Sequence, residues 1–257
     1  MRSVAMATYQ GMPYIRQQLR SILLQLSSED EIVISDNGST DGTVEYLQSE
    51  AQMDSRIRLF SVPAPQGVLP NFQNALQQCR GEVIFLSDQD DIWKPGKMDR
   101  ISSLFTSNPG LLAIQGDAEL IDEDNRITAP SFYALRKCGP GVWKNFRKNT
   151  WQGCSMAVRR KLLEAVLPFP KRIPMHDMWI GLLAELAGEV QFLPEVLISY
   201  RRHGENRSGD KPAGWGQIIL WRVGLGWAVL ARYPQIRRLA KGQNKSDSQT
   251  DSNRDIP

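Results

Sequence analysis

Three observations on the sequence predict an α/β fold with a mostly parallel, doubly wound sheet and a C-terminal helical extension. Short apolar segments alternate with amphipathic ones over the first 108 residues, and right-handed crossovers between such segments build a parallel sheet. Polar loops at 36–42 and 88–91 directly follow two apolar segments, at the sheet edge where ligands bind in such folds. Tryptophan, aliphatic and basic residues mix at 210–240, which predicts the extension.

The elements of the first half follow from residue type and spacing. Pro13 suits the first turn of a helix, and apolar residues recur behind it at helical spacing, namely Ile15, Leu19, Ile22, Leu23 and Leu26. The strands are short apolar runs bounded by turn residues such as Gly, Asn and Asp. The predicted order is a strand at 3–8, this helix, a strand at 31–35, a helix at 43–51, a strand at 57–62, a helix at 71–79 and a strand at 82–87.

After residue 108 the pattern changes. One more strand is predicted at 111–115, followed by a loop-rich stretch that runs to Trp151. Helical signals recur at 160–166 and 179–187, and a strand-like apolar run lies at 196–198. We therefore expect one domain at 1–209 with halves that meet at residue 108, an amphipathic helical segment at 210–240 and a disordered polar tail at 241–257.

Composition limits the class of protein. The 257 residues are 41% hydrophobic, and their net charge of +3 is too small to indicate nucleic-acid binding. Three cysteines without CxxC spacing, Cys79, Cys138 and Cys154, favour free thiols in a reducing compartment over a disulfide framework or a zinc site. The N-terminal segment lacks a signal-peptide pattern and no apolar run is long enough to span a bilayer, so a cytoplasmic location is expected.

An acidic cluster follows the strand at 82–87. Asp88, Asp90 and Asp91 would repel one another at a sheet edge unless a cation lay among them. Oxygen ligands select a hard divalent ion such as Mn²⁺ or Mg²⁺, which proteins usually share with substrate phosphates. The alternative is an acidic turn that caps the next segment.

The loop at 36–42 has two interpretations. Its Ser, Thr and Asp residues suit the N-cap of the next helix. Asp36 and Asn37 also lie at a strand end beside Ala7, Thr8 and Tyr9, where a carboxylate and an amide could hold the edge of a nucleobase and a ribose. From the residues alone both interpretations stay open.

Five ordered blocks resemble glycosyltransferase family 2. They are Met6–Gly11, Ser35–Gly42, Phe85–Trp93, His176–Trp179 and Tyr200–Asn206. The sequence motifs DQDDIW and HDMW are most similar to those of the rhamnosyltransferase-like members of that family. The resemblance covers about residues 2 to 209 and implies a GT-A fold with a Rossmann-like sheet. It also implies transfer of a sugar from a nucleoside diphosphate with inversion of configuration.

The resemblance implies roles for particular residues in each half of the domain. In the nucleotide-sugar half, about 1–108, the base would be held by Thr8, Asp36 and Asn37, and Asp88 would hold the ribose or waters of the metal. The metal would bind Asp90, with His203 joining once donor is bound. The other nucleotide-binding candidates are Ala7, Tyr9 and Asn71. The chain departs from the family in having Asn37 where a second Asp is usual, which removes a carboxylate contact to the base.

The acceptor half, about 109–209, holds the candidate general base. By resemblance this base is Asp177, whose alternative role is an ordinary helix cap. Arg201 and Arg202 suit a diphosphate, although a solvated basic loop is the alternative for this cluster. The remaining acceptor or diphosphate candidates are Gly153, Cys154, His176, Trp179, Asp91 and Trp93.

The expected function is transfer of L-rhamnose from dTDP-rhamnose onto a hydroxyl of a growing surface polysaccharide or lipid-linked glycan. The alternatives are a family 2 transferase of another sugar such as a UDP-hexose, and a non-catalytic nucleotide-sugar-binding partner in a polysaccharide assembly complex. Aromatic and basic residues at 215–241 suit an anionic membrane surface, as for a peripheral protein on the inner face of the cell membrane. Packing of that segment on the domain is the other interpretation.

Overall fold

The structure, a computed structural model, describes residues 1–62, 67–203 and 214–252. The strands are β1 Arg2–Thr8, β2 Glu31–Asp36, β3 Ile57–Ser61, β4 Val83–Ser87, β5 Ile92–Trp93, β6 Leu111–Ile121, β7 Ile127–Ala129, β8 Met156–Arg159 and β9 Glu189–Arg201. The helices are α1 Ile15–Leu23, α2 Thr43–Met53, α3 Val68–Gln78, α4 Lys97–Ser107, α5 Phe132–Arg136, α6 Val142–Arg147, α7 Leu163–Val166, α8 His176–Ala187 and α9 Trp215–Ser252. Short 3₁₀ turns precede β8 and α7.

The described strands form a single mixed sheet. Its order is β3-β2-β1-β4-β8-β6-β9-β5, and β7 pairs with β6 outside this path. β1 pairs in parallel with both β2 and β4, so the carboxyl ends of these three strands lie together. The α/β fold predicted from the alternating pattern is confirmed, and the predicted strand positions of the first half hold to within one or two residues.

The second half is more regular than expected. β6 extends to Ile121 rather than to residue 115, and β7, α5 and α6 lie within the stretch predicted as loop. β8 was not predicted, and it pairs antiparallel with both β4 and β6. β6 pairs in parallel with β9 over most of its length, and a Cβ at Gly116 would lie 2.7 Å from Leu197. A larger residue at this position would press on the Leu197 side chain.

Two apolar layers cover the sheet. One layer joins α1 and α4 to β1, β2 and β6 through residues such as Leu19, Ile34 and Phe105. The other joins α3, α7 and α8 to the opposite residues of β1, β4 and β8. Burial on both faces explains why β2 and β4 read as continuous apolar runs rather than alternating ones.

The C-terminal helix packs on the second layer. Leu225 is fully buried and Ile236 nearly so, in contact with the layer that holds α7 and α8. The helix continues to Ser252, whereas the sequence predicted a disordered tail from residue 241. The predicted boundary at 209 lies outside the described residues. Among the described helices, none combines the length and the apolar character that crossing a membrane requires.

Candidate active site

A cavity of about 460 Å³ opens at the carboxyl ends of β1 and β4. Its lining comes from the end of β1, from α3, from the loops after β2 and β4, from the 3₁₀ turn before β8 and from the start of α8. Tyr200 and His203 complete it at the end of β9. Residues far apart in the sequence meet here because the parallel strands all end at this edge.

The loop after β2 is organised by the Asp36 carboxylate. Its Oδ1 accepts hydrogen bonds from the backbone N–H of Gly38 at 2.9 Å and of Ser39 at 2.7 Å. Its Oδ2 accepts from the hydroxyls of Ser39 at 2.6 Å and Thr8 at 2.8 Å. Asp36 does not line the cavity. Its carboxylate therefore fixes the loop, and the neighbouring Asn37 faces the cavity in its place.

Asn71 links α3 to the end of β1. Its Nδ2 donates to the Thr8 carbonyl at 2.9 Å, and the backbone N–H of Asn37 donates to the same carbonyl at 3.0 Å. Asn71 Oδ1 is buried and has no hydrogen-bond partner among the described residues. Such a group costs free energy unless a ligand satisfies it, which makes Asn71 a candidate contact.

The acidic loop after β4 brings carboxylates and an imidazole together. Asp88 and Asp90 line the cavity, and Asp90 Oδ2 lies 2.8 Å from His203 Nε2. Burial first, and then the negative charges of neighbouring carboxylates, raise the pKa of Asp88 well above its usual value. A divalent cation would relieve this repulsion, and the oxygen and imidazole donors present fit Mn²⁺ or Mg²⁺.

A second layer of ionisable groups lies behind this loop. Asp91 is fully buried, and its Oδ1 accepts from the backbone N–H of Arg201 at 3.0 Å. Lys97 is also fully buried, lies 3.9 Å from the centre of the Trp93 ring and donates to the Cys154 carbonyl at 3.1 Å. Burial raises the pKa of Asp91 and lowers that of Lys97, each to about 7. The ligand atoms of Asp88, Asp91 and Cys154 lie within 4.8 Å of one another, a grouping that could hold a metal ion.

Asp177 lies in the first turn of α8 and not at its N-cap, which is Met175. Its Oδ1 accepts from Asn149 Nδ2 at 2.9 Å and from the backbone N–H of Met178 at 2.7 Å. Its Oδ2 accepts from the backbone N–H of Gly153 at 3.3 Å. The carboxylate thus lines the cavity in a fixed orientation.

His176, which precedes Asp177, stacks on Phe72 with ring centres 4.0 Å apart. Burial lowers the pKa of its imidazole, so the ring is neutral at pH 7. Neither ring nitrogen has a hydrogen-bond partner in the described part of the chain. The amide nitrogen and oxygen of the Gln152 side chain also have none there. Both residues line the cavity, where a ligand hydroxyl could satisfy them.

Residues 3–167, more than half of the chain, match the family model described as Glycosyl transferase family 2. The chain belongs to this family. TuaG of Bacillus subtilis, named as a teichuronic acid biosynthesis glycosyltransferase, is 32% identical over 216 residues, which cover 81% of this chain and 82% of TuaG. The family expected from the five sequence blocks is confirmed.

Two further relatives extend this likeness. An uncharacterized glycosyltransferase of Nostoc, alr2836, is 30% identical over 218 residues, and the match covers 79% of this family 2 chain but 65% of the relative. The GalNAc(5)-diNAcBac-PP-undecaprenol beta-1,3-glucosyltransferase of Campylobacter jejuni is 24% identical over 233 residues, with 90% and 72% covered. This chain therefore spans just under two thirds of the Nostoc protein's length.

Solved structures share the fold. Staphylococcus aureus TarS 1–349 in complex with UDP-GlcNAc superposes with a TM-score of 0.68 at 17% identity, over 89% of this chain and 66% of that chain. The mannosyltransferase PcManGT from Pyrobaculum calidifontis, in complex with GDP-Man and Mn²⁺, gives 0.58 at 17% identity, over 96% and 75%. The fold of this family 2 chain is thus of the GT-A type.

Most of the residues predicted for the site of this family 2 chain meet in the cavity. They are Ala7, Thr8, Tyr9, Asn37, Asn71, Asp88, Asp90, Gly153, Cys154, His176, Asp177 and His203. A Cβ at Gly153 would lie 2.6 Å from His176 Nε2, so this position needs glycine. Cys154 is buried, and burial raises the pKa of its thiol well above the usual value, which opposes a nucleophilic role.

Other predicted contacts lie away from the cavity. Trp179 is fully buried and donates from Nε1 to the Val166 carbonyl at 2.9 Å, and Trp93 packs in the core. Arg201 is 1% exposed, and its guanidinium donates to the carbonyls of Asp90 and Asp122 and to Gln17 Oε1. Asp36 and Asp91 are likewise engaged inside the protein, and Arg202 does not line the cavity. Arg201, Asp36 and Asp91 support the loops of the site without facing the cavity.

Several residues of the site were not singled out from the sequence. Gln89 joins the acidic loop to the end of β1, since it exchanges two hydrogen bonds of 2.7 and 2.9 Å with the Tyr9 backbone. Gln152 adjoins Gly153, a predicted acceptor or diphosphate contact, and this position was an available signal. Asn149, which holds Asp177, and Phe72, which stacks on His176, gave no sequence signal because their roles depend on partners distant in the chain.

Proposed function

We propose that this family 2 chain is an inverting, metal-dependent glycosyltransferase that moves a sugar from a nucleoside diphosphate onto a hydroxyl of a glycan. One observation carries the proposal: Asp88, Asp90 and Asp177 line the same cavity. Such a site offers acidic ligands for a cation near a diphosphate and a separate carboxylate for the acceptor. Both are needed when an acceptor oxygen displaces a nucleoside diphosphate in one step.

Asp177 is the proposed general base. The acceptor hydroxyl must lose its proton as its oxygen bonds to the anomeric carbon, and one carboxylate suffices for this transfer. Asn149 and the Met178 N–H both bind Oδ1, whereas Oδ2 accepts only the long Gly153 hydrogen bond among the described contacts. We assign proton acceptance to Oδ2, because this oxygen retains more of its acceptor capacity.

The acidic loop is the proposed diphosphate end of the site. Asp88, Asp90 and His203 would hold Mn²⁺ or Mg²⁺, which when bound would neutralise charge that builds on the departing diphosphate. The nucleoside would lie against Ala7, Thr8, Tyr9, Asn37 and Asn71 at the end of β1. Asp36 would act there indirectly, by fixing the loop that presents Asn37.

The donor proposed is dTDP-rhamnose, which would deliver L-rhamnose. The support is the similarity of Asp88–Trp93 and His176–Trp179 to rhamnosyltransferase-like sequences. Relatives of the same fold bind UDP-GlcNAc and GDP-Man, so the fold accommodates several donors. A UDP-hexose is the alternative donor for this chain.

The acceptor proposed is a growing surface polysaccharide or a lipid-linked glycan. Support comes from relatives named for teichuronic acid biosynthesis and for transfer to an undecaprenol-linked glycan. The cysteines of the chain are free thiols, which supports a reducing compartment such as the cytoplasm.

The test is a binding and transfer assay on the purified chain. Calorimetry with dTDP, UDP and GDP, each with Mn²⁺, with Mg²⁺ and with EDTA, should give affinity only with metal, and Asp90→Asn should abolish it. Asp99→Asn is the matched control, because that carboxylate is 83% exposed on α4. Equal binding in EDTA would contradict the metal role.

Transfer is measured next with dTDP-rhamnose and UDP-hexoses. Turnover with UDP-hexoses alone would contradict dTDP-rhamnose as the donor and would leave the proposed type of reaction unchanged. Metal-dependent nucleotide binding without turnover for any donor and acceptor would instead favour a non-catalytic nucleotide-sugar-binding partner in an assembly complex.

A further inference from the structure

We propose that α9 and the loop at 170–172 form a surface that binds an anionic lipid bilayer. This inference rests on the proposed function, because it names where the acceptor is held. The surface consists of Leu220, Val223 and Trp227 on α9 and of Pro170, Lys171 and Arg172 on the loop before α8, which together line a shallow groove. It is called the α9 surface below.

The apolar part of the α9 surface is a stripe along one helix face. Leu220, Val223, Trp227 and Leu230 follow at intervals of three and four residues, so they share a face of the helix. Each is more than half exposed, and Trp227 is 70% exposed. The core instead takes Leu225 and Ile236 from other faces of α9. Docking of α9 on the domain therefore leaves this stripe uncovered among the described residues.

The charged part of the α9 surface is wholly basic. No acidic residue occurs at 165–176 or at 214–242, and these stretches contain Lys171, Arg172, Arg222, Arg232, Arg237, Arg238 and Lys241. Lys171, Arg172, Arg237 and Arg238 are exposed. On the helices packed against α9, the acidic side chains are the exposed Glu164 of α7 and the Asp177 and Glu185 side chains of α8, which are engaged in hydrogen bonds. The positive charge of the surface is thus largely uncompensated.

Three contacts join this surface and its helix to the domain. A Cβ at Gly224 would lie 2.9 Å from the Arg172 carbonyl, so α9 and the loop touch backbone to backbone. Arg232 donates to the Pro168 carbonyl at 2.8 Å, and Arg222 donates to the Arg147 carbonyl at 2.9 Å. The last contact joins α9 to α6, whose Trp143 is 81% exposed.

An anionic bilayer fits this combination better than a second copy of the chain. Two copies of a wholly basic surface would repel each other, whereas anionic headgroups attract it. Tryptophan and aliphatic side chains at the centre of the surface can enter the boundary between headgroups and acyl chains. Charge complementarity and the exposed indole therefore point to the same partner.

The α9 surface lies close in the fold to the proposed base. Arg222 binds the carbonyl of Arg147, and Asn149, two residues further on, donates to Asp177. A bilayer on this surface would hold a lipid-linked acceptor beside α8, the helix that carries Asp177 and contacts α9. The sequence placed a membrane contact on 215–241 alone, whereas the structure adds the loop at 170–172.

The test is flotation of the full chain with vesicles of phosphatidylcholine, alone or mixed with phosphatidylglycerol. The chain should bind only the anionic vesicles, and added salt should release it because screening weakens the attraction. Trp227→Ser should lower binding at least about tenfold, since it removes the inserted indole. Lys171→Glu with Arg172→Glu should lower it by roughly fivefold or more per residue. Leu24→Ser and Arg20→Glu are the matched controls, because both residues are exposed on or next to α1.

Three outcomes would overturn the inference. They are no binding to anionic vesicles, equal binding by wild type and the α9-surface variants, and a wild-type dimer in ultracentrifugation that Trp227→Ser dissociates while neither protein binds vesicles. Calorimetry with nucleotide on the same preparations separates this test from the proposed function. Vesicle binding without nucleotide affinity would refute the function alone, and nucleotide affinity without vesicle binding would refute the α9 surface alone.

Discussion

Asp177 is held by three donors at the start of α8, yet it lines the cavity. A carboxylate in that position can be a structural anchor of the loop at 149–153 or a proton acceptor. The substitution Asp177→Asn separates these roles, because an amide keeps the shape and one acceptor oxygen but cannot take up the proton.

We expect Asp177→Asn to keep donor affinity near wild type and to lower transfer by roughly two to four orders of magnitude, the usual contribution of a general base. Nucleotide calorimetry and single-turnover transfer measure the two quantities. Asn149→Ala should leave donor affinity unchanged and lower transfer by a smaller factor. Near wild-type transfer by Asp177→Asn would exclude it as the base, and a variant that fails to fold would identify it as an anchor.

His176 supports a second prediction at this scale. His176→Phe keeps the ring that stacks on Phe72 but removes both nitrogens. The loss of hydrogen bonds to a substrate hydroxyl should raise KM by roughly ten- to a hundredfold, as for a buried polar contact.

The same variant should change the pH dependence of stability. Burial lowers the pKa of His176 below its ordinary value of 6.5, so the unfolded chain binds the proton first as the pH falls. The free energy of unfolding of the wild type therefore decreases as the pH falls below about 6.5. The variant His176→Phe should lack this part of the decrease. Urea unfolding at pH 7.5 and 5.5 measures it. An equal change in the free energy of unfolding between the two pH values for both proteins would show that the imidazole is not held neutral.

At the scale of elements, α8 packs closely against the loop at 151–155, and Gly181 is one of the close contacts. A Cβ at Gly181 would overlap the indole of Trp151, whose Nε1 donates to Glu185 at 3.1 Å. Trp151 is 3% exposed and leads directly into the turn that carries Gly153. The position of the loop against Asp177 thus depends on close contact between the ring and the helix backbone.

Gly181→Ala should destabilise the protein by about 1 to 3 kcal/mol, the usual effect of overpacking a core. Transfer should also fall, because a displaced Trp151 moves Gly153 away from Asp177. Gly226→Ala on α9 is the control: a Cβ there meets nothing within 4 Å, and the helix should gain up to about 1 kcal/mol. Thermal unfolding compares the two. A Tm of Gly181→Ala at or above wild type would contradict this account of the packing.

At the scale of the whole molecule, an ion pair ties the first strand to the region before β2. Arg2 binds Asp30 at 2.6 Å, and the Asp30 side chain is 2% exposed. Burial alone would raise the pKa of Asp30, but hydrogen bonds from Arg2 and Ser27 outweigh it and lower the pKa from 3.8 to about 2. The folded pKa is depressed, so this stabilisation is present above pH 4 and is lost as the pH falls from 4 to 2.

Asp30→Asn should lower the free energy of unfolding at pH 7 by about 2 kcal/mol or more and should flatten the loss between pH 4 and 2. The variant Asp99→Asn removes the other acidic partner of Arg2. Because the Asp99 side chain is 83% exposed, this variant should change the free energy of unfolding by less than about 1 kcal/mol. Urea titrations over pH measure both. A larger effect for Asp99→Asn than for Asp30→Asn would contradict the role of burial.

Local pattern was enough to predict four strands and three helices of the first half, whereas β5 and α4 were not predicted. Short apolar runs such as 32–34 and 83–86, each followed by turn residues, favour buried strands, and helical spacing after Pro13 specified α1. In the second half, β8 has four residues and α5 five, too few for periodicity to register. The pairing of β8 with β4 and β6 depends on tertiary structure.

The sequence by itself determined the family, the acidic loop at 88–91 and the helix start at Asp177, because short motifs at strand and helix ends are local. Only the tertiary structure decided which polar side chains face the cavity. Arg201 and Trp179 have the residue types of ligand contacts, but β9 and α8 direct them into the protein. Asn149 and Phe72 were not singled out from the sequence, yet the fold brings them against Asp177 and His176. Orientation depends on packing between elements that are distant in the chain, and no local pattern encodes it.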